Sequence, residues 1–192
     1  MRFILASNNA HKISEIRAIL SPLGASLLSL KDAGIDSFPD ETGTTFEENA
    51  IIKAEAVFKK TGIPAIADDS GLEVRALGGA PGVHSARYCE GTDLDRIKKL
   101  LNALSGVPEG ERNARFVSVI ACVRTEGSFT ARGVCEGEIL SEIKGMGGFG
   151  YDPVFFVPEE NMTFAEMPPE IKNRISHRAK ALSEFKKKLI KG

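Results

Sequence analysis

The stretch FILASNNAHKISEIRAIL, residues 3–20, sets the fold class. Phe3 to Ala6 is an apolar run of strand length, and it passes directly into a polar turn, Ser7-Asn8-Asn9-Ala10-His11-Lys12. Beyond the turn Ile13, Ile16, Ile19 and Leu20 recur at helical spacing, so strand, loop and helix follow in order. The alternation continues outward. Ala25 to Leu30 predicts a second strand, and the Gly-, Asp-, Pro- and Thr-rich segment Asp32 to Thr45 predicts a loop. Thr45 followed by Glu48 is a capping box, which starts a helix running to about Lys60. Phe46, Ala50, Ala54, Val57 and Phe58 lie on or near one face of it, and Thr61-Gly62 ends it. Pro64 to Ala67 predicts a strand that delivers Asp68 and Asp69 at its carboxyl end.

Thr92 with Asp95 opens another helix, with Leu94, Ile97, Leu101 and Leu104 as its apolar stripe. Arg115 to Arg124 reads as a strand buried on both faces, and Phe129 to Leu140 as its antiparallel neighbour across a Glu126-Gly127 turn. Val154 to Val157 is one more strand. Ser176 caps a last helix whose Ala179, Leu182, Phe185, Leu189 and Ile190 face inward. The sum is α/β with a mixed β-sheet flanked by helices, and no repeat or linker divides residues 1–192 into separate domains.

Charge and composition narrow the function. With 25 basic and 26 acidic side chains the net charge is -1, which argues against a nucleic-acid-binding surface. An anionic ligand must then be held by a local cluster of cations. Cys89, Cys122 and Cys135 are odd in number and lack Cys-x-x-Cys spacing, which argues against zinc and disulfides and for a reducing compartment. The apolar run after Met1-Arg2 is too short for a signal peptide, and no stretch reaches the ~20 apolar residues of a membrane span. The expectation is a cytoplasmic protein without membrane or nucleic-acid partners.

Four segments could carry chemistry, and each has a plain alternative. The Ser7–Lys12 turn, between strand and helix, points backbone N–H groups at an anion; equally, it is an Asn-rich turn with a solvated lysine. Asp68-Asp69-Ser70-Gly71 ends a strand, where two adjacent acids would suit a hard cation such as Mg2+; equally, one carboxylate bonds the backbone of a turn. Gly147-Gly148-Phe149-Gly150-Tyr151-Asp152-Pro153 sets a ring between glycines, either against a flat ligand or inside a Gly-rich hairpin. His177-Arg178, with Lys172 nearby, places cations at a helix start, against the preference of the dipole; that marks a site or a solvated basic face.

Together the segments are specific. SxNxxK at Ser7 to Lys12, ETGTTFEENAIIKA at Glu41 to Ala54, ADDSGLEV and LGGAPGVHSARY within Ala67 to Tyr88, GGFGYDP and ISHR closely resemble the inosine triphosphate pyrophosphatase family. The resemblance runs in order from residue 2 to about residue 185. It implies an elongated mixed-sheet fold with two lobes around a central cleft, a homodimer, and cleavage of ITP, dITP and XTP to monophosphate and pyrophosphate. It implies that Ser7, Asn8, Asn9 and Lys12 hold the triphosphate and that Lys53 neutralises it. Glu41 and Asp69 would coordinate Mg2+, with Asp69 also named as proton acceptor. Ser70 would contact substrate, Phe149 with Gly150 and Tyr151 would lie against the base, and Asp152, Lys172, His177 and Arg178 would read its edge.

A metal-bound carboxylate has its charged form favoured and is a weaker base, so Asp69 is expected mainly to hold metal and orient water, with Asp68 as an outer ligand. Two rivals remain at this stage. One is a pyrophosphatase for modified pyrimidine or methylated nucleotides, against which Phe149 and His177-Arg178 argue. The other is a non-hydrolysing nucleotide-binding regulator, which would be expected to lose Asp69, Lys53 or Glu41.

Overall fold

The computed structural model describes residues 1–36 and 39–191. The expected Asp32–Thr45 loop therefore includes two positions, Ser37 and Phe38, that lie outside the described residues. Seven strands form one mixed sheet in the order β2-β1-β3-β4-β5-β6-β7. They are β1 (Arg2–Leu5), β2 (Ser26–Leu28), β3 (Ala65–Val74), β4 (Asn113–Arg124), β5 (Gly127–Ile139), β6 (Phe155–Val157) and β7 (Met162–Thr163). The helices are α1 (Ala10–Leu20), α2 (Phe46–Thr61), α3 (Asp93–Ala103), α4 (Pro169–Ile175) and α5 (His177–Lys191). β1 pairs in parallel with β2 and β3, whereas β6 pairs antiparallel with β5 and β7. β4 and β5 are neighbours joined by Thr125 and Glu126 alone, a connection only an antiparallel pair allows.

The helix boundaries follow local rules. Both capping boxes form: Thr45 with Glu48 opens α2, and Thr92 with Asp95 opens α3. Gly62 ends α2 at φ 67°, a left-handed conformation that glycine adopts without strain. Asn9 caps α1 by accepting from Lys12 N. β4 is buried almost continuously from Phe116 to Val123, and β5 alternates from Ala131 onward, as for a strand with one covered face.

The chain divides into two compact units. Unit 1 holds residues 1–69, 118–133 and 177–192; unit 2 holds residues 70–117 and 134–176. Each has its own core. In unit 1 Phe3, Leu5, Ile16, Leu20, Ile66, Ile120, Leu182 and Phe185 pack together. In unit 2 the core includes Leu72, Ile97, Leu100, Leu104, Phe116, Phe155 and Phe164, and the Phe116 and Phe155 rings meet edge-on at 4.6 Å.

Some sequence expectations fail in detail. Leu94 is exposed, because the buried seam of α3 runs Ile97, Leu100, Leu104 and leaves its first turn outside. Ile190 is exposed as well: it lies about 100° round the helix from buried Leu189. α4 and β7, both very short, carry too little periodicity to be anticipated.

Candidate active site

Asp68 and Asp69 do not end a strand. β3 continues through Ser70 and Gly71 to Val74, so the expected turn is extended chain. The cause lies in their partners. Successive strand side chains point to opposite faces, so the two carboxylates find different hydrogen-bonding partners inside the protein. Asp68 accepts from Ser118 Oγ at 2.6 Å and pairs with Lys12 Nζ at 2.9 Å and Arg178 Nη2 at 3.2 Å. Arg178 in turn pairs with Glu15 on α1. Burial alone would raise the Asp68 pKa, but Arg178 and Lys12 outweigh it and hold the carboxyl well below the usual range. With these partners its carboxylate is committed within the protein, which removes the basis for an outer metal ligand.

Asp69 belongs to a second cluster. α2 brings Lys53, 5% exposed, to a point where its Nζ donates to Glu41 Oε1 at 2.8 Å, Asp69 Oδ1 at 2.7 Å and the Asp68 carbonyl at 3.0 Å. Burial works against the ammonium, yet Asp69 and Glu41 together hold its pKa above the ordinary lysine value. Burial raises the Asp69 carboxyl, with Lys53 and Lys12 opposing.

The Ser7–Lys12 turn is built as a helix entry. Ser7 Oγ accepts from Asn9 N at 3.2 Å, and Asn9 Oδ1 accepts from Lys12 N at 3.1 Å. Asn8 and Asn9 are exposed, and Ser7 is buried. Lys12 is aimed by Asp68. Unit 1 thus gathers Ser7, Asn8, Asn9, Lys12, Glu41, Lys53 and Asp69, and buries His177 and Arg178 at the start of α5.

Unit 2 gathers the remaining candidates. Ser70 is its first residue. Asp152 Oδ2 accepts from Phe149 N at 2.8 Å and from Lys172 Nζ at 2.6 Å, and that ammonium lies 4.9 Å from the centre of the Phe149 ring. Gly150, at φ 62°, donates its N–H to Asp93 Oδ2 at 2.7 Å. Tyr151 is buried, its hydroxyl donating to the Ser85 carbonyl at 2.9 Å, and burial pushes its pKa up. The loop is pinned by side chains on both sides of the ring.

Several partners escaped the sequence reading. Ser118 left one signal, a hydroxyl inside the apolar run Phe116–Val123, where a buried polar group must find a bond. Glu15, Asp93 and Ser85 left none, since a charged or small residue on a helix or loop is ordinary. The metal expectation fits the donor set. Glu41 and Asp69 converge on one cationic atom, and among the described residues no group of three or more metal-ligating side chains exists. Mg2+ commonly takes one or two carboxylates and completes its shell with phosphate and water.

The fold is a mixed-sheet α/β scaffold, with carboxylates buried against lysines in unit 1 and an aromatic loop pinned by side chains in unit 2. The Ham1 family model matches residues 3–188, and the chain belongs to that family. Its relatives include dITP/XTP pyrophosphatases of Desulforamulus reducens, 50% identical over 96% of this chain and 93% of theirs, and of Bacillus licheniformis, 49% identical over 95% and 94%. Solved structures agree. A HAM1 protein from Coxiella burnetii superposes with a TM-score of 0.91 at 43% identity, covering 100% of both chains. The Staphylococcus aureus Ham1 protein gives 0.88 at 40% identity, covering 98% of each.

Proposed function

We propose that this protein hydrolyses deaminated purine nucleoside triphosphates, ITP, dITP and XTP, to the nucleoside monophosphate and pyrophosphate, removing them from the nucleotide pool. The observation that carries the reading is the convergence of Glu41 and Asp69 on Lys53 at 2.8 and 2.7 Å, beside Lys12. Pyrophosphate departure builds negative charge on the leaving group, and catalysis of such a step is largely positioning and charge stabilisation.

Ser7, Asn8, Asn9 and Lys12 would hold the triphosphate, with Lys12 kept in place by Asp68. Lys53 would neutralise the phosphates and keep Asp69 ionised. Mg2+ held by Glu41 and Asp69 would add Lewis acidity and increase the acidity of the attacking water. Asp69 would orient that water, since a carboxylate bound to metal is a weak base and the metal itself increases the water's acidity. Ser70 would touch substrate.

Phe149, backed by Gly150 and Tyr151, would stack on the base, with Lys172 and Asp152 reading its edge. His177 and Arg178 would favour the O6 acceptor of hypoxanthine and xanthine over the adenine amino group, since a donor facing that edge finds an acceptor only in the former. The family resemblance implies that the protein works as a homodimer, in a reducing cytoplasm. Among the described residues no helix is long and apolar enough to cross a membrane.

The purified protein, incubated with Mg2+ and ITP, XTP, GTP or dTTP, should release pyrophosphate and monophosphate from ITP and XTP in preference to the others. Orthophosphate as the first product, or preference for dTTP, would overturn the reading.

A further inference from the structure

Glu41 lies in an irregular segment, so something outside secondary structure has to fix its backbone. The first turn of α2 does this. Glu48 Oε2 accepts from Thr44 N at 2.7 Å and Thr45 N at 3.2 Å, which is ordinary helix capping. One residue further in, Asn49 Oδ1 accepts from Gly43 N at 2.8 Å, two residues along the chain from Glu41. Asn49 is fully buried, and its Nδ2 has no partner among the described residues. A Cβ on Gly43 would come within 2.7 Å of both Asn49 Oδ1 and Glu48 Cβ, so the chain is pressed onto the helix at this point.

We propose that Asn49 is a positioning residue for Glu41: through Gly43 it sets the loop from which the carboxylate reaches the cation-binding point, while Lys53, one turn further along α2, completes the same cluster. The inference rests on the reading of Glu41 as a metal ligand. Stability alone does not account for an asparagine here. A buried amide with an unmatched donor is costly, and an apolar side chain of similar volume would avoid that cost. What leucine cannot do is accept from the Gly43 N–H, which lies two residues from Glu41.

Asn49→Leu and Gly43→Ala break the contact from its two sides. Three quantities are measured: the thermal midpoint without metal, the Mg2+ concentration giving half-maximal ITP hydrolysis, and Mn2+ binding in the presence of pyrophosphate, followed by loss of the free-ion paramagnetic resonance signal. Outer partners of metal ligands typically change affinity about 10–100-fold, so a rise of roughly tenfold in both metal constants is expected. The melting midpoint of Asn49→Leu should stay level or increase, and a Glu41→Gln background should abolish the effect on metal. If Asn49→Leu does not fold, Gly43→Ala decides. Glu41→Gln with unchanged metal constants would sink the metal reading itself. Glu41→Gln with raised constants, beside unchanged constants in the folded Asn49 and Gly43 variants, would overturn the positioning role.

Discussion

Asp68 shows how one residue can be chemically conspicuous and still serve another. Its side chain is fully buried, bound by Ser118, Lys12 and Arg178, and its ionised form is what those partners need. Because its folded pKa is depressed, the stability it contributes is fully present above the ordinary aspartate range, near 4. That stability is lost as pH falls below this range through the folded pKa. Asp68→Asn leaves Arg178 and Lys12 without their shared counter-charge and is expected to cost about 3–5 kcal/mol at neutral pH. Urea unfolding from pH 7 down to pH 3 should show this deficit shrinking toward acid; a constant deficit would contradict the ion-pair account. The sequence marked Asp68 and Asp69 as a pair. It could not tell them apart, because what separates them is which face of β3 each occupies and what waits there.

At the scale of elements, α5 depends on a glycine. A Cβ on Gly133 of β5 would collide with Ala181 N and the His177 carbonyl, so helix and strand touch backbone to backbone. Gly133→Ala should lower stability by about 1–3 kcal/mol through overpacking. It should also lower turnover of ITP disproportionately, since the displaced turn carries His177 and Arg178. Thermal unfolding and steady-state kinetics on the same variant check both; a variant with native melting and native kcat would refute the seating. The helices themselves were legible because their signals are local. Thr45 with Glu48, Thr92 with Asp95, and Gly62 each act within one turn of chain, and all three do what their spacing predicts. The carboxyl end of β3 was misplaced for the converse reason: Asp, Ser and Gly favour turns locally, and only the strand's neighbours keep 68–71 extended.

For the whole molecule, the family resemblance carries a homodimer, and the purified protein should scatter light with a mass near twice 20.7 kDa after size exclusion; 20.7 kDa alone would refute it. By itself the sequence determined the α/β class, most helix starts and stops, and the residue types of the site. Periodicity, caps and turn chemistry are short-range, and the motifs at Ser7–Lys12, Glu41–Ala54 and Phe149–Asp152 are contiguous. Tertiary structure alone decided how those residues are used. It put Lys53 between Glu41 and Asp69, spent Asp68 on Arg178 and Lys12, and anchored the Glu41 loop to Asn49. The physical reason is that a carboxylate's role depends on the charges within a few ångströms of it and on its burial, and both are set by chain segments far apart in sequence.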